Sequence, residues 1–175
     1  MALVMFRRMV RKGFAPAFAA LSVILSGCDL GTRADAAKGV ERFLSATQAG
    51  DRIGFEARID RPSLREDLRR QMIEVARANG VEVDGGPSDR ALDRMIGPEA
   101  FQLVEAHTGQ ALPEAPNAAQ VAMLLKPLEK GRVCLHDITA EERCLLTFAK
   151  VQERWRLVGM QAMDLKIQVS REPPK

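Results

Sequence analysis

The sequence predicts an α+β fold: three to four N-terminal helices packed on one face of a C-terminal three-stranded antiparallel meander. Three observations carry this. Between residues 36 and 125, apolar side chains recur every three to four positions. From Arg132 onward the period falls to two. The links between those period-two segments are short, which makes the strands antiparallel neighbours. At 175 residues, with 46% apolar and 28% charged residues, the composition is that of an ordinary globular chain and excludes a disordered one.

The elements follow in order. Ala36, Val40, Phe43, Leu44 and Thr47 form one stripe, with Asp35 as N-cap and Gly50 as stop, giving a first helix over 36–49. Ile53, Phe55, Ala57 and Ile59 alternate with Gly54, Glu56 and Arg58, which suits a short extended piece or an irregular helical turn. Asp60-Arg61-Pro62-Ser63 opens the second helix, because Pro fits a first helical turn and an anion suits the positive end of the dipole. Leu64, Leu68, Met72, Val75 and Ala76 are its buried stripe, and Asn79-Gly80 ends it. Asp84-Gly85-Gly86-Pro87 is turn chemistry. Ser88-Asp89 caps a third helix to Ile96, with a helical continuation from Gly97-Pro98 to His107. Asn117 caps a fourth, with Val121, Leu124 and Leu125 inward and Pro127 as its end. Arg132–Ile138, Arg143–Val151 and Arg154–Met163 read as strands. Leu146, Phe148, Trp155 and Leu157 share the face that packs on the helices. Helices followed by a meander that closes on Trp-Arg-Leu-Val is an order similar to that of nuclear transport factor 2-like domains, which would place a ligand pocket between helices and sheet.

The basic charge sits at one end. Arg7, Arg8, Arg11 and Lys12 lie in residues 1–27 with no acid among them. The other 22 basic residues face 23 acidic ones, so the remainder has no overall excess for a phosphate backbone, and no nucleic-acid partner is expected. A local basic patch is not excluded by that count. After the charged start, Gly13 to Leu25 is apolar and uncharged, which is the layout of a secretory signal. A spanning helix needs about 20 apolar residues. This stretch is shorter, holds Pro16 and runs into Asp29.

Leu25-Ser26-Gly27-Cys28 ends that stretch and resembles the lipobox of bacterial lipoproteins. The resemblance implies a diacylglycerol thioether on Cys28 and cleavage before it. It predicts a signal peptide over 1–27, a lipidated tether over 28–35, one α+β domain over 36–169 and a polar tail over 170–175. The chain would be a lipid-anchored cell-envelope protein facing the periplasm. Asp29 favours the inner membrane by the rule of enteric bacteria; elsewhere that rule varies, and the choice of membrane stays open. The alternative is an ordinary signal peptide with a chance cysteine.

Only Cys134 and Cys144 remain for a second sulfur feature. A hairpin centred near Thr139 would set them opposite each other on one face, within reach of a disulfide in an oxidising compartment. Two alternatives stay open: reduced buried cysteines, and a metal site with His136, which lacks a visible fourth ligand. No cofactor and no metal are expected. His107 suits a helix C-terminus, and no nucleophile, phosphate-loop or metalloprotease motif occurs. Arg61, Arg65, Arg69 and Arg70 are interleaved with Glu66, Asp67 and Glu74, which suits a solvated, salt-bridged face as well as an anion site.

The stretch from Phe43 to Met72, with Gly50-Asp51, Ile59-Asp60, Leu64-Arg65 and Leu68, resembles the domain of unknown function 2939 family. The resemblance implies a shared architecture over about 36–165 and no activity. It singles out Asp60 and Arg65, either as a helix cap with an ion pair or as ligand contacts. Taken together, the expected role is a binding, accessory or scaffold module that is not an enzyme. Its partners would be the membrane, through acylated Cys28, and an envelope protein or small ligand. A ligand-binding pocket is the alternative, and an enzyme built on Asp51 and Asp60 comes third.

Overall fold

The computed structural model describes residues 27–82, 84–138, 143–162 and 166–169. Residues 1–26 of the signal peptide expected over 1–27, the expected link at 139–142, Met163 and the expected tail 170–175 lie outside these.

Two sheets and five helices are built among the described residues. Helix α1 spans Gly27–Gln48. It begins ahead of the expected Ala36, so the stretch read as a tether is helical, and Asp35 sits inside the helix rather than capping it. Its inward stripe is Ala36, Val40, Phe43 and Leu44, all fully buried. Helix α2, Arg52–Glu56, is capped by Asp51, whose carboxylate accepts from the Gly54 N–H at 2.9 Å. The chain then turns at Ala57-Arg58 and reaches Ile59, which bridges Leu157 in parallel. Helix α3, Arg61–Ala78, follows Asp60 and ends at Asn79-Gly80, where Gly80 takes the left-handed φ of 73°. Leu64 and Leu68 are buried. Val75 is 48% exposed, because the C-terminal half of α3 extends past the sheet, so the stripe expected there is only partly core.

Helix α4, Asp89–Asp93, is capped by Ser88. The helical continuation expected to His107 does not form. A 3-10 turn at Pro98–Ala100 leads into strand β1, Gln102–Glu105, which pairs in parallel with β6, Lys166–Val169. Helix α5, Ala118–Leu124, carries a full capping box between Asn117 and Gln120. It stops before the expected Pro127, because Leu125–Leu128 turns into strand β2. Pro127 is tolerated there because β2 is an edge strand. Strands β3 (Arg132–His136), β4 (Cys144–Val151) and β5 (Arg154–Met160) complete an antiparallel sheet in the order β2-β3-β4-β5. The meander therefore has four strands, not three.

The core lies between this sheet and the helices. Phe43 packs edge-on against Phe101 and Phe148, with ring centroids 5.4 Å apart in both cases, and lies 5.5 Å from Phe55. Leu146, Phe148, Trp155 and Leu157 face it as expected. The exposed edge of β5 is closed by side chains of α3. The Asp67 carboxylate accepts the Met160 N–H at 3.1 Å, and the Gln71 amide donates to the Met160 carbonyl at 2.7 Å. Blocking an edge in this way removes a template for intermolecular pairing.

Candidate functional site

Between α1 and the sheet the core is packed by Phe43, Phe55, Phe101 and Phe148, and the depressions described below open at the surface. The most charged of the surface depressions is a cleft of about 440 Å³ where α1 crosses the β4–β5 hairpin. Helix α1 contributes Asp35, Lys38, Gly39 and Arg42, which recur at three- and four-residue spacing on one face. The segment after α2 contributes Ala57 and Arg58, and the hairpin contributes Glu153, Arg154 and Trp155.

Local geometry sets each wall. Gly39 lets α1 approach β5 closely, since a Cβ there would stand 2.5 Å from the Trp155 Cβ. The hairpin turn places Gln152 and Glu153 at φ of 51° and 60°. Both central residues of a twist-matched two-residue hairpin need that left-handed conformation, and neither here is glycine. Trp155 is buried, and its indole N–H donates to the Asp35 carboxylate at 3.0 Å. The same carboxylate accepts from Lys150 Nζ at 2.8 Å, and that ammonium lies 5.8 Å from the indole centroid. Lys150 and then Trp155, by hydrogen bonding, hold the Asp35 carboxyl below its usual value, and Asp35 in turn raises Lys150. Asp35 is thus neutralised by a cation outside the cleft.

That leaves four cations, Lys38, Arg42, Arg58 and Arg154, against Glu153. Arg58 is half-buried and anchored by donating from Nη1 to the Gly54 carbonyl at 2.6 Å. Lys38, Arg42 and Arg154 are exposed and make no ion pair or side-chain hydrogen bond among the described residues. Guanidinium groups present forked donors that match phosphate and carboxylate oxygens. The arrangement can therefore hold an anionic group beside an aromatic wall.

Sequence reasoning missed this cleft. Its parts lie far apart in the chain, and the charge count averaged them away. The closest signal was the spacing of Lys38 and Arg42 on one side of the first helix.

The residues singled out by sequence fall elsewhere. Asp60 and Arg65 do not pair. The Asp60 carboxylate accepts from the Ser63 hydroxyl, and Asp60 makes no side-chain cap bond to α3. Arg65 instead reaches Asp93 on α4, with Nε to Oδ1 at 2.7 Å, and Asp89 at 3.4 Å. Arg61 also binds Asp93, at 3.0 Å, and Glu56; Arg69 binds Asp89 and Glu66. Hydrogen bonding from Arg65, and secondarily from Arg61, holds the Asp93 carboxyl below its usual value despite partial desolvation. This face of α3 is a salt-bridged seam to α4 and offers few free donors. Asp51 is spent on its cap, apart from Asp60.

Cys134 and Cys144 stand at disulfide distance, with Cα atoms 5.6 Å apart. They are not directly opposite. The register pairs Cys144 with His136 and Cys134 with Thr147, and a bulge at Leu145 brings the cysteines together diagonally. His107 is exposed beyond β1 rather than at a helix end. Among the described residues no three His, Cys, Asp or Glu side chains converge as metal ligands, and no helix is long and apolar enough to cross a membrane. Position 28 lies in the first turn of α1. No family model matches this chain, and neither a curated protein nor a solved structure does, so the resemblance to the domain of unknown function 2939 family rests on its quoted residues alone.

Proposed function

We propose that this protein is a lipid-anchored component of the bacterial cell envelope that acts by binding, as an accessory or scaffold module, with the basic cleft as its contact site. One observation carries the reading. Position 28, the last residue of Leu25-Ser26-Gly27-Cys28, falls in the first turn of α1, and α1 supplies two of the cleft's cations. An anchor at Cys28 would therefore be mechanically continuous with the binding surface. The Cys134–Cys144 pair fits the same setting as a disulfide formed outside the cytoplasm.

A second reading, a small-ligand module, draws on the open groove of about 620 Å³ between α3 and the outer face of the sheet, floored by Thr147, Ala149 and Val158. Its mixed charged rim of Glu66, Asp67, Arg70 and Arg132 matches no ligand class as clearly as the cleft does.

The test is the intact mass of the protein extracted from its native membrane, before and after reduction. The expected species starts at acylated Cys28 and gains two hydrogens on reduction. An unacylated chain with free thiols would overturn the anchor and the compartment together.

A further inference from the structure

The stripe of α1 that lines the cleft runs through 35, 39 and 42. Followed back at the seven-residue spacing of a helix face, it passes through position 28, since seven residues bring a helix nearly two full turns round. Position 28 and positions 35, 39 and 42 therefore fall at equivalent angles of one helix. Along the axis, Lys38 lies about 15 Å from position 28 at roughly 1.5 Å per residue. If the acyl chains enter the bilayer from that side, the cleft opens toward the same headgroup layer.

We propose that the cleft binds the phosphate of an anionic phospholipid in the membrane that carries the protein, so that the acylated cysteine and the cleft hold one bilayer at two points. This rests on the anchored reading given above. Four observations favour a phosphate there. The cations outnumber the acids after Lys150 has taken up Asp35. Lys38, Arg42 and Arg154 have no competing ion pair among the described residues. Arg58 is already oriented by its bond to Gly54. A volume of about 440 Å³ admits a headgroup but no extended polymer. Basic groups at an anionic surface each add about 1 kcal/mol, and a second membrane signal converts marginal anchoring into stable anchoring.

The chain holds one Trp and no Tyr, so intrinsic fluorescence reports on the cleft wall alone. The test uses the membrane-extracted protein in a neutral detergent, titrated separately with dihexanoyl phosphatidylglycerol, dihexanoyl phosphatidylcholine and inorganic phosphate. Titration calorimetry on the same samples detects binding that leaves the emission unchanged. The expected result is saturable binding of the phosphatidylglycerol and none of the phosphatidylcholine. Lys38→Gln and Arg42→Gln should each weaken it roughly fivefold. Both side chains are exposed and unpaired, so the variants should keep the wild-type unfolding midpoint. Arg94→Gln, at an exposed and unpaired cation just past α4, should bind like wild type.

Equal binding of the zwitterionic lipid, or no loss in the two cleft variants, overturns the proposal. Inorganic phosphate binding as tightly as the lipid assigns the cleft to a soluble phosphate ligand and overturns the lipid assignment. Binding that persists in a chain whose mass shows no acyl group overturns the anchor while leaving the headgroup site standing. An acylated chain that binds nothing overturns the cleft alone.

Discussion

Replacing Gly39 with alanine sets two effects against each other, and their sizes decide the sign. Gly39 lies in the interior of the 22-residue helix α1, where alanine is favoured over glycine by about 1 kcal/mol. Against this, the new Cβ would stand 2.5 Å from the Trp155 Cβ and 3.0 Å from its Cγ. The Trp155 Cβ is tied to the backbone of β5 and cannot rotate away, and its indole is held by Asp35 on the same helix. An ordinary carbon contact of about 3.5–4.0 Å returns only if α1 retreats from the sheet by roughly 1 Å. Overpacking of this kind costs about 1–3 kcal/mol, and the retreat also loosens the Ala36, Val40 and Phe43 stripe. The net expectation is a loss of about 1–2 kcal/mol. Gly31→Ala in the same helix is the control. Nothing lies within 4 Å of its added methyl, so it should be neutral or stabilising by up to about 1 kcal/mol. Urea unfolding of the oxidised protein, followed by the single tryptophan, measures both. A Gly39→Ala midpoint at or above wild type, or the same direction of shift for both substitutions, would refute the close-approach argument.

Two further predictions concern the core and the α3–α4 seam. Phe43→Ala removes the ring that touches three others and should cost about 3–5 kcal/mol in urea unfolding, whereas Phe43→Leu, which refills most of the cavity, should cost clearly less; equal losses would contradict cavity formation as the main source of the cost. Asp93, with its carboxyl held below the usual value by Arg65 and then Arg61, contributes stability that is present above the unfolded-state value and lost as pH falls through the lowered folded value. The margin of wild type over Asp93→Asn should therefore be full at neutral pH and shrink as pH falls below the ordinary carboxylate range; a margin that grows on acidification contradicts the pairing.

Much of the architecture was legible because local signals and tertiary demands agreed. Asn117 marked the start of α5, Asn79-Gly80 marked the end of α3, and the period of two through Leu146, Phe148, Trp155 and Leu157 marked the sheet. The failures share a cause. Residues 102–105 carry apolar spacing that a helix or a strand could use, and their state was decided by β6 some sixty positions later, a partner that no local window contains. Leu125 continued the helical stripe of α5 but was claimed by β3, which pairs it with Leu135. Arg65 had a plausible partner one turn away in Asp60, yet Asp93 won by offering a two-oxygen acceptor to its fork from another helix. The cleft was illegible for the same reason. Its cations are gathered from α1, the segment after α2 and a hairpin, and a net charge near zero over residues 28–175 says nothing about where charges meet.

Under the anchored reading proposed above, helix α1 is what would let the anchor and the cleft cooperate. One side of it is fully buried against the sheet and α5, where Arg33 Nε also donates to the Ala122 carbonyl at 2.8 Å. The adjacent side carries Asp35, Lys38, Gly39 and Arg42. A helix packed along one side for several turns cannot rotate about its axis without emptying the core, so the angular relation between position 28 and the cleft is set by the same contacts that hold the fold. A long disordered stalk would let a lipid anchor and a basic surface face in any relative direction, and each would then bind independently. With an anchor at position 28, a continuous helix would remove that freedom, and restricting the orientation of the second contact would raise its effective concentration at the surface. Loosening α1 at Gly39 should therefore weaken headgroup binding even though glycine donates nothing to a phosphate.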